Sequence, residues 1–224
     1  YHAAVALGRV DDKSDETIQA LVVAATHKDG RVARAAIAAL RNLQPGPQHI
    51  VKALSEVLKS DDEAVVLYAL EAITERGKDA APMLIEALKQ PETAYLACTA
   101  IEHIGPDAAA TVPALTELIG STRHSHLLIQ ALLAMASIGP AAESAAPKIE
   151  PLLAMDTDAT VPVAAAYALG SIGAKQADAS LRAAIAKKDP FLQMIAAWAV
   201  AKLNPDDKAA VKLAVDKLMQ GLKS

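Results

Sequence analysis

Apolar residues recur at spacings of three and four along most of this 224-residue chain, which is the period of an amphipathic α-helix. Seven such segments end shortly before a Gly, Pro or Asn break, and their ends lie 28 to 34 residues apart. These seven anchor positions are Val10, Leu43, Arg76, Ile104, Ile138, Ile172 and Leu203. A period of this length is typical of stacked helical hairpins. We call the helix that ends at each anchor the inner helix of its hairpin.

Alanine occupies two fixed positions in every inner helix. The residues seven and four before the anchors are Ala3 and Ala6, Ala36 and Ala39, Ala69 and Ala72, Ala97 and Ala100, Ala131 and Ala134, Ala165 and Ala168, and Ala196 and Ala199. Positions three apart share one face of a helix, and a methyl side chain lets neighbouring backbones approach closely. The pattern therefore predicts that these alanines pack between helices.

A second amphipathic segment precedes each inner helix after the first, and we call it the outer helix. Examples are APMLIEALKQP at 81–91, TVPALTELIGS at 111–121 and PQHIVKALSEVLKSD at 47–61. Proline near a helix start is tolerated, whereas Pro151 lies deeper and should bend its helix. The prolines near the starts of outer helices are Pro82, Pro113 and Pro147. The aspartates expected to cap inner helices are Asp29, Asp61, Asp62, Asp156, Asp158 and Asp189. No segment alternates as a strand, so the prediction is all-α.

Antiparallel helix pairs at this period resemble the short bacterial version of HEAT repeats. Residues 80–105, AAPMLIEALKQPETAYLACTAIEHIG, and residues 109–139 are similar to the pattern of that family, although its basic pair early in the inner helix survives only around Arg31 and Arg34. The resemblance implies a right-handed α-solenoid of about seven HEAT-like hairpins, the first one truncated, in a single domain over 1–224. Because the chain starts inside a hairpin at Tyr1, we expect it to be a fragment that lacks its N-terminal part.

The face of the inner helices that points away from the alanines becomes apolar from the fifth hairpin on. Six residues there form what we call the apolar patch: Ile129, Leu133, Val163, Tyr167, Met194 and Trp198. The resemblance implies that inner helices line the concave surface on which solenoids hold partners. An exposed apolar patch would contact a ligand, whereas crowding between neighbouring helices would bury the same side chains. The exposure of Trp198 distinguishes the two interpretations.

Charges are also sorted along the inner helices. Arg9, Arg31, Arg34 and Arg41 lie on the first two, and Glu71, Glu75, Glu92 and Glu102 follow on the next two. An extended amphipathic partner segment would match this order, but the opposite charges would equally neutralise one another. The net charge of −4 argues against a nucleic-acid partner, and no apolar run reaches the roughly 18 residues that a membrane span needs.

Motifs for catalysis or metal binding are absent from the sequence. The metal-dependent hydroxylases that share this repeat use His-Glu dipeptides, whereas this chain has only the reversed pair Glu102-His103. His124 and His126 are two residues apart, a spacing that fits no common helical metal motif. The single cysteine, Cys98, falls in a packing column, so a buried role is expected rather than a nucleophilic one. We therefore expect neither a metal nor a cofactor.

These observations predict a non-catalytic HEAT-repeat scaffold that binds a protein or peptide segment on its concave face. The candidate contact residues are Arg31, Arg34, Arg41, Tyr95 and the six residues of the apolar patch. The partner would be another chain or the missing N-terminal region of this one. The alternative is an accessory subunit of a chromophore- or cofactor-handling enzyme, similar to bilin lyases, in which Tyr167 and Trp198 would hold a flat ligand. The sequence does not indicate a compartment.

Overall fold

The computed structural model describes residues 1–10, 12–43, 57 and 60–221, and every regular element within these ranges is helical. The α-helices are α1 His2–Val10, α2 Asp15–Ala25, α3 Gly30–Leu43, α4 Glu63–Thr74, α5 Ala81–Leu88, α6 Pro91–Ile104, α7 Val112–Ser121, α8 Ser125–Ile138, α9 Ala146–Ile149, α10 Thr160–Ile172, α11 Asp178–Ile185, α12 Pro190–Leu203 and α13 Lys208–Gly221. Short 3-10 helices cover Gly77–Ala80, Gly105–Thr111, Gly139–Ala145, Glu150–Ala154 and Lys175–Ala177. The predicted all-α class is confirmed. Most of the expected outer helix at 47–61 lies outside the described residues.

The inner helices end where the anchors predict. Six of them, α1, α3, α6, α8, α10 and α12, have the anchor as their last residue, and α4 ends at Thr74, two residues before its anchor. Gly77, Gly105, Gly139 and Gly173 directly follow four of the anchors and have φ of 53°, 68°, 75° and 78°. Only glycine adopts this left-handed conformation without steric cost, so it terminates a helix sharply. A 3-10 segment begins at Gly77, directly after the anchor Arg76.

Contacts divide the chain into two compact units, Tyr1–Ala100 (unit 1) and Ile101–Ser224 (unit 2). Within unit 1, α3 packs against α1, α2 and α4. Within unit 2, α8 packs against α10, α10 against α12, and α12 against both α11 and α13. Each of these inner helices thus contacts the next inner helix, as expected for stacked hairpins. The single domain and the handedness of the superhelix remain predictions.

The alanine stripe is buried in every inner helix except the first. The twelve alanines from Ala36 to Ala199 are at most 6% exposed, but Ala3 and Ala6 of α1 are exposed. The predicted register of α1 is therefore wrong. Its buried residue is Ala4, and a Cβ on Gly8, one turn later, would lie 2.7 Å from the Cβ of Ala39. The smallest residues of α1 face α3, which allows the two backbones to approach closely.

Replacing Ala134 by phenylalanine should destabilise unit 2. Ala134 is completely buried on α8, so the larger side chain must displace packed neighbours at a cost of about 1–3 kcal/mol. Ala183→Phe on α11 is the control, because Ala183 is exposed and surface substitutions usually change the free energy of unfolding by less than about 0.5 kcal/mol. Urea denaturation of both variants tests the prediction. A midpoint for Ala134→Phe equal to that of the parent would show that the alanine stripe is misplaced.

Aspartates cap the inner helices at four of the predicted turns. Asp62 Oδ1 accepts hydrogen bonds from the N–H groups of residues 64 and 65, at 3.1 and 3.3 Å. The carboxylates of Asp29, Asp158 and Asp189 each accept a backbone N–H bond of 2.9 to 3.0 Å. In the two turns that hold a pair of aspartates, the capping bonds go to Asp62 and Asp158 rather than Asp61 and Asp156. Asp62 directly precedes α4, and Asp158 lies two residues before α10.

Acidification should destabilise the fold through these caps. The pKa of Asp29 lies well below its usual 3.8 because the Arg31 side chain donates hydrogen bonds to it, and Thr160 likewise lowers the pKa of Asp158. A carboxyl group with a depressed pKa stabilises the fold above its unfolded pKa, and that contribution is lost as pH falls through the folded pKa. Tm should hold from pH 7 to about 5 and fall below about pH 4. Asp158→Asn, which no longer titrates, should lose less, and a Tm unchanged at about pH 2 would contradict the prediction.

Prolines lie where the sequence placed them. Pro82, Pro113 and Pro147 are in the first turns of α5, α7 and α9. The α-helical geometry of α9 ends at Ile149, and the 3-10 segment that contains Pro151 follows. Pro151 thus interrupts the outer helix, as predicted, because proline has no N–H to donate within a helix.

One helical run does meet the length and composition of a membrane span, contrary to the expectation from the sequence. An 18-residue window within Ser125–Ala154 has a mean hydropathy of 1.4, and 44% of that window is buried inside the protein. The run contains α8, α9 and two 3-10 segments, and it turns at Gly139, where φ is 75°. A core hairpin of a helical-repeat protein has the same composition because its inward faces are apolar.

Candidate functional site

The apolar patch occupies three successive inner helices of unit 2. Ile129 and Leu133 lie on α8, Val163 and Tyr167 on α10, and Met194 and Trp198 on α12. The two residues on each helix are four apart and share a face, and the three helices pack side by side. Tyr167 is 41% exposed, and the other five side chains are half-buried. The structure thus brings all six residues onto one surface that solvent reaches.

Two aromatic rings form the centre of this patch. The rings of Tyr167 and Trp198 stack with centroids 5.3 Å apart and an angle of 22° between their planes. The ammonium group of Lys202 lies 4.9 Å from the centroid of the Trp198 ring, within the range of a cation–π contact. A Cβ on Gly170 would come within 2.8 Å of the indole, so glycine makes room for it. Trp198 is therefore partly covered by its neighbours and partly open to solvent. This outcome lies between the exposed patch and the buried helix contact that the sequence left open.

The arginines predicted to contact a partner all pair with carboxylates in unit 1. Arg31 Nη2 lies 2.8 Å from Asp29 Oδ2, Arg34 Nη1 lies 3.6 Å from Asp62 Oδ2, and Arg41 forms an ion pair with Glu75. These pairs are solvent-exposed, and exposed ion pairs contribute little to stability. The opposite charges thus lie close enough to neutralise one another, which is one of the two roles expected from the sequence. The Arg34–Asp62 pair also joins α3 to the turn before α4.

Tyr95, the remaining candidate, lies on α6 and is 48% exposed. Leu67 occupies the equivalent position on α4 and is 66% exposed. Both belong to the column nine residues before the anchor, whose residues in unit 2 are half-buried. Two inner helices of unit 1 therefore also expose an apolar side chain in this column, although Leu67 was not among the predicted contact residues.

A cleft of about 830 Å³ opens between α1, α3 and α4 in unit 1, and we call it the unit 1 cleft. Its polar lining includes Arg9, Arg31, Arg34 and Tyr68. Arg31 and Arg34 were among the predicted contact residues, whereas Arg9 and Tyr68 were not. The packing of α1 on α3 and of α3 on α4 brings these four residues together. Arg9 could have been predicted from the arginines that the first two inner helices share. Arg41 does not line this cleft.

The chemistry of Cys98 and the histidines agrees with structural roles. Cys98 is fully buried, and burial raises the pKa of its thiol to about 12, so the thiolate that a nucleophile requires does not form near neutral pH. Among the described residues, no three His, Cys, Asp or Glu side chains come close enough together to hold a metal ion. His124 and His126 are exposed at the start of α8.

Comparison with protein families identifies the repeat over part of the chain. Residues 81–169 match the family model of HEAT repeats. The match covers the hairpins that the sequence resemblance rested on, and it confirms the family for that segment. No curated protein sequence matches the chain.

Three solved structures are similar to the chain at low sequence identity. A chain from the complex of CpcE and CpcF of phycocyanin lyase from Nostoc sp. PCC7120 is 21% identical, with a TM-score of 0.46 over 97% of this chain and 88% of that one. An engineered protein is 24% identical, with a TM-score of 0.41 over 91% and 90%. A chain from a study of the interaction between cadherin and beta-catenin is 17% identical, with a TM-score of 0.50 over 99% of this chain and 53% of that one. The last similarity shows the fold alone.

Proposed function

We propose that this chain, which carries HEAT repeats over residues 81–169, is a non-catalytic scaffold that binds a protein or peptide segment on the exposed face of its inner helices. The observation that carries the proposal is the apolar patch of unit 2. A helix face left to solvent is ordinarily polar, yet three adjacent inner helices present six apolar side chains that keep part of their surface open. Contiguous apolar surface of this kind is typical of interaction sites.

The residue types in the patch suit binding. Tyr, Trp and Met are over-represented at the centres of interfaces because they bury a large area, and Tyr and Trp lose little side-chain entropy on binding. Tyr167 and Trp198 already stack on each other, so the free protein holds them in one arrangement. Binding therefore requires little further ordering, which favours affinity.

The paired arginines contribute in a different way. Arg31, Arg34 and Arg41 remain solvent-accessible although each is near a carboxylate. The apolar patch belongs to unit 2, whereas these arginines and Tyr95 belong to unit 1. We therefore assign the energy of binding at unit 2 to the apolar patch, and we propose the arginines and Tyr95 as contact residues of unit 1.

The test begins with affinity capture of partners from the source organism by the full-length protein. The affinity of each captured protein is then measured for the parent and for the variant Tyr167→Ala/Trp198→Ala. A partner that binds the parent and is weakened by the variant supports the proposal. A set of captured proteins that all bind the variant as tightly as the parent rejects the patch as the binding surface.

The alternative of a chromophore- or cofactor-handling subunit has less support from the geometry. A flat ligand between Tyr167 and Trp198 would need a gap between the two rings, but the rings stack directly on each other. Such a ligand would have to lie on an outer ring face. A visible absorption spectrum of protein purified from its source separates the two functions, since a bound chromophore gives colour and a peptide-binding scaffold does not.

A further inference from the structure

We propose that the unit 1 cleft is a second binding site, which takes an acidic protein segment. The inference rests on the proposed scaffold function and adds to it a separate site and the chemistry of its partner. The cleft lies between α1, α3 and α4, and its volume of about 830 Å³ falls within the range of about 300–1,000 Å³ that is typical of ligand pockets. Three features of its lining favour this occupant: an apolar floor, guanidinium groups and aromatic side chains.

The floor is apolar and built from small side chains. Val5 and Gly8 of α1 and Ala35, Ala38 and Ala39 of α3 line it. Gly8 faces Ala39 so closely that a Cβ would clash, so α1 and α3 are in close contact at the base of the cleft. Small side chains leave room for an extended peptide, whose apolar side chains would bury area against this floor.

Two of the three guanidinium groups in the cleft retain free hydrogen-bonding capacity. Arg9 is exposed and forms no ion pair with any of the residues that the structure describes. Arg34 lies 3.6 Å from Asp62, which is too far for a hydrogen bond. Arg31 makes two bonds to Asp29, yet its side chain remains 77% exposed. Guanidinium is the group that binds a carboxylate through two parallel hydrogen bonds.

Tyrosines stand beside these arginines. Tyr1 is 58% exposed, and Tyr68 of α4 is half-buried; both line the cleft. A tyrosine ring packs against apolar groups while its hydroxyl bonds to a peptide carbonyl or carboxylate. Tyrosine and arginine together are the residue types most enriched at interface hot spots.

The charge around the cleft favours an acidic segment as its occupant. Among the described residues that line the cleft there is no aspartate or glutamate. Asp29 and Asp62 pair with Arg31 and Arg34, but Arg9 has no carboxylate partner among the described residues, so the charge around the cleft is net positive and attracts anions.

Glu71 on α4 and Glu75 directly after the helix are exposed. Glu75 pairs with Arg41, but the Glu71 carboxylate would repel a long polyanion that ran past the cleft. A short acidic stretch flanked by neutral or apolar residues fits this arrangement better than a nucleic acid does.

The experiment measures binding of a short synthetic peptide of alternating glutamate and leucine to the full chain by fluorescence anisotropy. A peptide of alternating lysine and leucine is the ligand control. We expect Arg9→Gln/Arg34→Gln to raise the Kd of the acidic peptide about tenfold or more, because each charge-assisted hydrogen bond contributes substantially to affinity. Arg182→Gln is the matched variant: it removes an exposed arginine of α11 that pairs with Asp178 and Asp207 in unit 2, and it should leave the Kd unchanged.

A second variant tests the cleft independently of whether the arginine variant folds. Ala38→Glu places a carboxylate on the floor and should abolish binding of the acidic peptide even if the arginine variant is unstable. Raising the ionic strength from about 0.1 to 1 M shortens the screening length from about 10 to 3 Å and should weaken binding. Equal affinity for both peptides, an equal loss with Arg182→Gln, or tighter binding of a DNA oligonucleotide than of the acidic peptide would each overturn the inference.

Failure of this inference can be told apart from failure of the proposed function. The Tyr167→Ala/Trp198→Ala variant should bind the acidic peptide as the parent does, because its substitutions lie in unit 2. If the peptide does not bind the parent while natural partners still require the apolar patch, the inference fails and the proposed function stands. If the peptide binds through Arg9 and Arg34 but no natural partner requires the patch, the inference stands and the patch is rejected.

Discussion

Replacing Tyr167 and Trp198 together by alanine is expected to weaken partner binding by about 2 kcal/mol or more, which is roughly a thirtyfold increase in Kd. The two rings supply the largest side chains of the apolar patch and are stacked in the free protein. Their loss removes both contact area and a preformed surface. Isothermal titration calorimetry with a captured partner measures the effect.

The same substitution should change the free energy of unfolding less than the binding energy. Tyr167 is exposed and Trp198 is half-buried, so the main loss within the fold is their mutual contact, worth about 1 kcal/mol. Phe191→Ala is the control, since Phe191 is an exposed aromatic residue on α12 outside the patch. It should alter neither quantity appreciably. Extensive unfolding together with unchanged partner affinity would show that the two rings belong to the core.

Replacing Leu132 by alanine is expected to have the largest effect on stability, about 2–5 kcal/mol. Leu132 is completely buried on α8, and its truncation both loses apolar burial and leaves a cavity that close-packed helices fill only in part. Urea denaturation followed by circular dichroism measures the change as a lower midpoint at a similar slope.

Leu67→Ala is the comparison for this substitution. Leu67 is also on an inner helix but is 66% exposed, so its truncation should cost less than about 1 kcal/mol. Similar losses at the two positions would mean that burial along the inner helices differs from the structure described here. A large loss at Leu132 alone would establish which face of α8 packs inward.

The ends of the helices and the contents of the alanine stripe were predictable from the sequence. Ile104, Ile138 and Ile172 end their helices because the next residue is a glycine in the left-handed conformation, and this depends only on neighbouring residues. The burial of Ala131 and Ala134 follows from their shared face on one helix. Features that arise within a single helical turn can thus be read directly from the order of residues.

Predictions failed where the outcome depended on a neighbouring helix. Ala3 and Ala6 satisfy the same spacing rule as the other alanines, yet α1 meets α3 through Ala4 and Gly8. The contact of one helix with another selects the buried face, and the spacing of the alanines alone does not. Arg9 was likewise not recognised as a neighbour of Tyr68, because α1 and α4 are far apart in the sequence and line one cleft only through α3.

The sequence by itself determined the all-α class, the order and ends of the hairpins, and the residues that can pack closely, because helical period, glycine and proline act locally. The tertiary structure decided how much of each inner helix stays exposed and which charges pair. Trp198 is half-buried because Tyr167, Gly170 and Lys202 surround it, and these contacts depend on how α10 and α12 pack together. Exposure is a property of several helices at once. The residues of the proposed binding surface could therefore be named from the sequence, but their accessible area could not be assigned until the helices were packed.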